Sequence, residues 1–486
     1  MTTLRLSHVL ALSTFLALTQ LGAQTPEPGV EKKLDQIIQT LDVAQGKLDV
    51  LVQGAPAPTP APVATPASDA VSAGIQAIQQ NLNVVWMILA GALVFVMQAG
   101  FALVELGFAR AKNSINIVMK NFLDFCIAAL VFFLLGFGLM FGHSWMGILG
   151  TDGFWLSSHG PEEPIWAFWF FQVVFAGTAC TIVSGAMAER TKFVGYLVYA
   201  VMLSGIVYPI CGHWAWGSFA GAFGGGGDAG WLEAMGFRDF AGSTVVHACG
   251  GACALAGILV IGPRDGRFAK DGSPRFIAGH NIPLAALGVF LLWFGWYGFN
   301  CGSTLTGTGA IGRIAVNTTV APAAGAVIAM VSMWFMQGRP DVGITLNGAL
   351  AGLVGITACC ANITPGSGLV VGMVAGLLTT VATIALERLQ IDDVVGAVPV
   401  HLVNGWWGTV AVALFDEKGF NAHDLGVQAL GTVAISGTAF GLCLAIFKAV
   451  DLAVGLRATK EEQLDGLDFS EHSANAYPDF STTEQA

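Results

Sequence analysis

Two histidines stand in the same local pattern, Asp239-x7-His247-x3-Gly251 and Asp393-x7-His401-x3-Gly405. Each lies in an apolar stretch, where an ionisable side chain is expensive and tends to mark an ion or proton path. A lone intramembrane histidine is more often a packing residue, but a matched pair reverses that expectation. Burial away from water favours the neutral imidazole, which carries one donor and one acceptor nitrogen. Two such rings side by side share one proton, offer a donor and an acceptor to a passing solute, and can relay a proton. The aspartate heading each motif suits a helix start, where a carboxylate accepts from free N–H groups and faces the positive dipole end.

The elements that must deliver these rings are membrane spans. Of 486 residues, 54% are hydrophobic and 11% are charged, against roughly 25% charged in a soluble domain. Val84 to Ala109, Ile314 to Met336 and Leu369 to Leu386 each hold one charge or none, over about 20 residues, the length that crosses ~30 Å of hydrocarbon as a helix. That excludes a soluble enzyme and predicts an all-α polytopic membrane protein in contact with lipid. A net charge of -11 with scattered Lys and Arg excludes nucleic acid as a partner. The 63 Gly are spread through apolar segments, which suits close helix–helix approach in lipid.

Hydropathy with Gly and Pro punctuation predicts eleven spans, near 83–109, 115–141, 165–188, 193–219, 243–262, 282–300, 313–336, 344–360, 369–387, 394–414 and 427–448. With the amino terminus outside, thirteen Lys and Arg fall in inner loops and tail, and the outer loops carry three, Arg238, Arg313 and Lys418, which satisfies the positive-inside bias. The expectation is an extracytoplasmic amino terminus, a cytoplasmic carboxyl terminus and placement in the cell's inner (plasma) membrane. The histidine motifs open the fifth and tenth spans. Five being odd, the copies run in opposite directions, as inverted five-helix repeats do. Eight residues at 1.5 Å carry each imidazole ~12 Å inward from opposite surfaces, so the rings should meet near the centre.

Outside the spans the chain divides further. Residues 1–23 read as a signal peptide, with an uncleaved anchor as the alternative. Residues 24–54 hold apolar positions at Leu34, Ile38, Leu41, Leu48 and Val52, a short coiled coil or an amphipathic helix lying on the bilayer. Residues 55–82 form a Pro/Ala-rich linker and lead-in, 83–448 the eleven-helix domain, and 449–486 a cytoplasmic regulatory tail.

These residues resemble the ammonium transporter family, the Amt/Mep/Rh group, over about 83 to 480. Asp239 through His247 is similar to the family's fifth-helix motif, and Asp392-Asp393 through His401 and Gly405 to its tenth. Gly185 to Arg190, Phe299 to Ser303, and the tail's Gly466 to Asp468, Glu471-His472 and Ala476-Tyr477 match as well. The resemblance implies an outer recruitment site for a cation at Trp216, Phe175 and Ser303, stacked gate rings at Phe175 and Phe299, a pore pair at His247 and His401, and vestibule support from Asp239. Trp216 and His247 favour the bacterial Amt branch. The chain departs from the family at Ser243 and Leu402, where Gly is frequent or found in some members. The resemblance also implies a homotrimer, a cytosolic PII-type regulatory protein at the inner mouth, and methylammonium as a further substrate.

The chemistry expected of such a pore is specific. A bare cation in an apolar passage faces many kcal/mol of desolvation, and a neutral amine does not. Ammonium would bind the aromatic site, lose its proton and pass as NH3, with the proton free to follow through the histidines. Potassium cannot shed its charge and is excluded. Two other classes compete: an ammonium sensor using the same pore, and a membrane enzyme with a metal near His247, Cys249 and Cys253. No cofactor or metal is expected, and the nine Cys suggest no disulfide framework. Gly348-x3-Gly352 and Gly372-x3-Gly376 read as packing faces. Glu105 is expected to be structural, beside Arg110 and Lys112, and Asp124 to satisfy Asn121 and nearby backbone.

Overall fold

The computed structural model describes residues 66–480 and a few isolated helical positions between Gln36 and Lys47. The expected signal peptide, most of the heptad segment, and the linker as far as residue 65 lie outside the described residues. From Gln76 onward the chain forms one compact unit. Its apolar helices are α1 (Pro66–Phe108), α2 (Ala111–Phe141), α3 (Ile165–Ala186), α4 (Phe193–Phe223), α5 (Ser243–Ile261), α6 (Ile282–Gly302), α7 (Ala310–Gln337), α8 (Val342–Thr357), α9 (Pro365–Arg388), α10 (Val398–Phe415) and α11 (Ala422–Val454). The tail adds α12 (Lys460–Asp465) and α13 (Leu467–His472). A two-residue hairpin, β1 (Ser144–Trp145) against β2 (Leu149–Gly150), follows α2.

Among the described residues, ten of these helices are long and apolar enough to cross a membrane. The other, α8, has 16 residues, about 24 Å at 1.5 Å per residue. Its end has a local cause. Ser243 Oγ donates to the Val354 carbonyl and accepts from Ala358 N–H, both at 2.7 Å. The hydroxyl thus sits between two groups that would otherwise pair along the helix, a recognised way of interrupting a ladder. Ser243, one of the departures from the family pattern, is therefore a packing and hydrogen-bonding residue.

Helices α3, α5 and α8 are buried along most of their length, whereas Phe122, Leu130, Phe290 and Val433 point outward, as lipid-facing side chains do. The two Gly-x3-Gly faces pack on α7. A Cβ placed on Gly348 or Gly376 would meet the Gly325 carbonyl at 2.6 or 2.3 Å, and one on Gly352 or Gly372 the Ala321 carbonyl at 2.5 or 2.0 Å. Backbone lies against backbone there, the close approach that small residues permit.

Charge is compensated at the end of the bundle where α1, α3 and α5 terminate. Glu189 pairs with Arg110 and, at 2.9 Å, with Arg264, which holds Asp392 at 2.8 Å. Burial pushes the Asp392 carboxyl up, but hydrogen bonds from Arg264 and the charges of Arg190 and Arg264 outweigh it and hold the group well below its ordinary value. The tail folds back onto this end. Lys112 Nζ donates to the Gln463 carbonyl at 2.7 Å, Asn116 N–H to Asp468 at 2.8 Å, and Phe193 N–H to Glu471 at 2.9 Å. Glu105 accepts from Asn121 and Ser184 and pairs with neither Arg110 nor Lys112. Helix α1 ends at Phe108, so the turn after it carries Arg110 to Glu189 and Lys112 to the tail. Asp124 accepts from the Tyr196 hydroxyl rather than from Asn121.

Replacing Gly372 by Ala should overpack the α7/α9 contact and destabilise the protein by about 1–3 kcal/mol, read as a lower unfolding temperature in detergent. Gly437→Ala, where nothing lies within 4 Å of the added carbon, should leave it unchanged. Equal melting curves would show that this contact yields without cost.

Candidate functional site

The local structure around each histidine begins at its aspartate. Asp239 Oδ1 accepts from Gly242 and Ser243 N–H at 2.9 Å, and Oδ2 from Thr244 and Val245 at 2.8 Å. Asp393 repeats this with Gly396 and Ala397 on Oδ1 at 3.0 Å and Val398 on Oδ2 at 2.7 Å. Three residues after each aspartate comes a left-handed glycine, Gly242 at φ 114° and Gly396 at φ 80°. Only glycine takes that turn without strain, and it lets the chain curl beneath its own carboxylate. Both helices then open with a π turn, Ser243–Ala248 and Val398–Val403, and each π turn carries its histidine.

The two half-helices cross at reciprocal glycines. A Cβ on Gly251 would meet Leu402 N at 2.4 Å, and one on Gly405 would meet Ala248 N at 2.8 Å. Each glycine of one motif thus touches the residue following the histidine of the other. Leu402 contributes its backbone to this crossing. The closeness brings His247 Nδ1 to 3.2 Å from His401 Nδ1, with ring centroids 5.3 Å apart and planes at 21°. Two nitrogens at that distance need one donor and one acceptor, so the rings share a single proton between them.

The surroundings of the pair are apolar and aromatic. His247 lies parallel to Trp296 at 5.0 Å and 15°, and the indole is fixed by its N–H donating to Thr357 Oγ1 at 2.9 Å. Phe299 is 5.3 Å from His247, and Phe101 is 6.2 Å from His401. Phe299 stacks on Phe175 at 4.0 Å and 24°. Phe175 in turn meets Trp216 edge-on at 6.3 Å. Trp216, Phe175 and Ser303 line a hollow together with Gln172, Phe219 and Phe240. Ser303 Oγ donates to the Phe299 carbonyl at 2.8 Å, so its lone pairs remain available to a donor. The Trp216 N–H is taken by the Asp239 carbonyl at 2.7 Å, which fixes the indole plane.

All seven side chains singled out from the sequence therefore fall in one continuous series, from Trp216 and Ser303 through Phe175 and Phe299 to His247 and His401, with Asp239 tying its two ends through Trp216 and α5. Asp239 is buried, and burial pushes its carboxyl up to about 6 despite the four N–H donors. Sequence reasoning missed Trp296, Phe101 and Gln172. Trp296 lies three residues before Phe299, on the same helix face, which is the one signal that could have found it. The Oε1 of buried Gln172 has no partner among the described residues. No group of three or more His, Cys, Asp or Glu among the described residues is placed to hold a metal ion.

The family model described as the Ammonium Transporter Family matches residues 85–477. The ammonium transporter Amt2 of Archaeoglobus fulgidus is 44% identical over 442 residues, covering 85% of this chain and 92% of that protein. Ammonium transporter Amt1 of Haloferax mediterranei is 40% identical over 421 residues, with 83% and 80% covered. Among solved structures, one titled Sensor Amt Protein is 43% identical with a TM-score of 0.78, covering 82% of this chain and 99% of that one. Candida albicans Mep2 is 28% identical with a TM-score of 0.73, covering 83% and 92%.

Asp239→Asn should cost about 1–3 kcal/mol, because one cap oxygen becomes an NH2 facing two backbone donors. The pH dependence should change too. A carboxyl raised in the folded state contributes stability below its unfolded value that is lost as pH rises through its folded one. Wild-type stability should therefore fall between about pH 4 and pH 6 by an increment that the Asn variant lacks. Thermal unfolding of both proteins across that range measures it, and parallel curves would be the contrary result.

Proposed function

The chain belongs to the ammonium transporter family and is a multi-pass membrane protein, and from that premise we propose how it handles its substrate. NH4+ is recruited at Trp216, Phe175 and Ser303, gives up its proton, and passes the Phe175/Phe299 stack as NH3 to contact His247 and His401. What carries this reading is the juxtaposition of a 3.2 Å imidazole pair with a 4.0 Å stack of phenyl rings. An intact cation would lose its water there with nothing charged to replace it. At the mouth, aromatic faces hold a partly desolvated cation with ~1–2 kcal/mol, and the free lone pairs of Ser303 accept one of its N–H groups. Between the histidines, one ring accepts from a solute while the other donates, and the shared proton lets charge move separately from the amine. Methylammonium meets the same requirements, since it can also shed a proton.

The protein works in the inner (plasma) membrane with its mature amino terminus extracytoplasmic, by the charge bias of its loops. Assembly as a homotrimer and a PII-type cytosolic partner at the inner mouth rest on the family resemblance. A second reading, an ammonium sensor, is favoured by the solved structure titled Sensor Amt Protein, at 43% identity. In that case occupancy would be reported through the tail segment bound to the start of α2 and α4, and ammonium-dependent protease access to residues 457–477 would reveal it.

In liposomes the wild type should carry ammonium-driven flux and no K+ current. Trp216→Leu should raise the half-saturating ammonium concentration roughly tenfold, the equivalent of ~1.4 kcal/mol. His247→Ala and His401→Ala should each abolish proton-coupled current. Potassium currents as large as those with ammonium would sink the proposal.

A further inference from the structure

Glu105 lies in α1 one helical turn beyond Phe101, whose ring rests 6.2 Å from that of His401. Residues four apart share a helix face, so the carboxyl follows the histidine pair along the same side of α1. It is only 2% exposed. A Cβ on Gly185 would meet Glu105 Cγ at 3.0 Å and Val395 Cγ2 at 2.7 Å, which places the side chain between the end of α3 and the lead-in from Asp393 to His401.

Its partners are neutral. Glu105 Oε2 accepts from Asn121 Nδ2 and Ser184 Oγ, each at 2.9 Å. The cations around it are engaged elsewhere: Arg110 and Arg264 with Glu189, and Lys120 Nζ with the Thr191 carbonyl at 2.6 Å. Lys120 and Asp124 on α2 and Tyr196 on α4 are the titratable groups that interact with it electrostatically. Glu189 and Arg190 beyond α3, and Asp393 before α10, complete the ring of charged groups on the elements packed against it. Beside the carboxyl, Asn121 Oδ1 is buried and has no donor among the described residues. A proton on Glu105, or a water next to it, would supply one.

We propose that Glu105 is the inner proton acceptor of the pathway, taking the proton that NH4+ leaves behind once it has moved along His247 and His401. The inference rests on the transport reading above and deepens it. An N–H bond on the His401 imidazolium breaks and an O–H bond forms on the Glu105 carboxylate, with water carrying the proton across the gap between them. That O–H bond then breaks, the proton enters the inner solution, and the carboxylate and neutral imidazole are restored. A carboxylate locked to Arg would resist protonation, whereas one held by an amide and a hydroxyl can exist in either form.

The test uses the full chain in liposomes with two readouts under one ammonium gradient: lumen pH by stopped-flow fluorescence, and current on a solid-supported membrane. Glu105→Gln, which keeps an acceptor for Asn121 and Ser184, should retain ammonia flux within about twofold while the ammonium-evoked current falls at least tenfold. An unchanged current in Glu105→Gln overturns the inference alone. So does a wild type that moves ammonia without any current. A wild type with no ammonium-dependent flux sinks the transport reading along with it. Should Glu105→Gln fail to fold, Glu105→Asp decides: a carboxyl retracted by one methylene shifts the pH profile of the current at constant flux, and an unshifted profile overturns the role.

Discussion

The contact on which the rest of this structure turns is the one between His247 Nδ1 and His401 Nδ1, 3.2 Å apart in a setting closed to bulk water. At that separation two imidazolium rings cannot coexist, and two neutral rings must adopt opposite tautomers. The pair therefore has a restricted set of states: neutral with one shared proton, or singly charged. Trp296, parallel to His247 at 5.0 Å, offers its face to the charged state, since a cation over an indole is stabilised by the ring quadrupole. The proposed transport asks the pair to accept a proton briefly without holding it, which this balance of apolar walls and one soft face suits.

Several features that look unrelated serve to keep the nitrogens at that distance. The two aspartates satisfy seven N–H groups at the starts of α5 and α10, which are broken by π turns and would otherwise leave donors unpaired in an apolar interior. The left-handed Gly242 and Gly396 make that capping possible, and Gly251 and Gly405 let the half-helices touch through their backbones. Ser243 then bridges α5 to the end of α8. A side chain at Gly251 or Gly405 would push the half-helices apart, and the histidine contact would lengthen with them.

Much of this was legible in the chain, because span and motif are both periodic signals. The Asp-x7-His-x3-Gly repeat set the positions of both histidines, and hydropathy found the apolar helices after the first within about six residues at either end, whereas α1 begins at Pro66 and takes in residues 66–82 that read as linker and lead-in. What stayed hidden depended on contacts distant in sequence. A π turn is a shift in hydrogen-bond partner with no hydrophobic period of its own. The short α8 ends where a serine more than a hundred residues away enters its ladder, and no local signal at Thr357 announces it. Arg110 and Lys112 looked like partners for Glu105 by proximity, yet the turn after Phe108 carries them to Glu189 and the tail. Trp296 reads as one tryptophan among 13 until the fold brings His247 alongside.

Charge placement explains why such a passage can discriminate. At one end, Arg238 is paired with Asp416 at 2.5 Å and Asp424 at 3.1 Å, leaving the aromatic hollow beside it without a competing cation. Asp239 gives both carboxylate oxygens to backbone donors, so under the proposed recruitment a cation in the hollow would feel its field without forming an ion pair that would trap it. At the other end, Arg110, Arg190, Arg264 and Arg267 are consumed by Glu189, Asp392, Glu387 and backbone carbonyls. Between those ends the aromatic and imidazole series contains no fixed charge. A potassium ion entering it would lose hydration worth many kcal/mol and meet only ring faces and neutral nitrogens, whereas ammonium can escape the same penalty by leaving a proton with a neighbouring base. On this reading selectivity comes from what the solute can do chemically, and the width of the passage matters less.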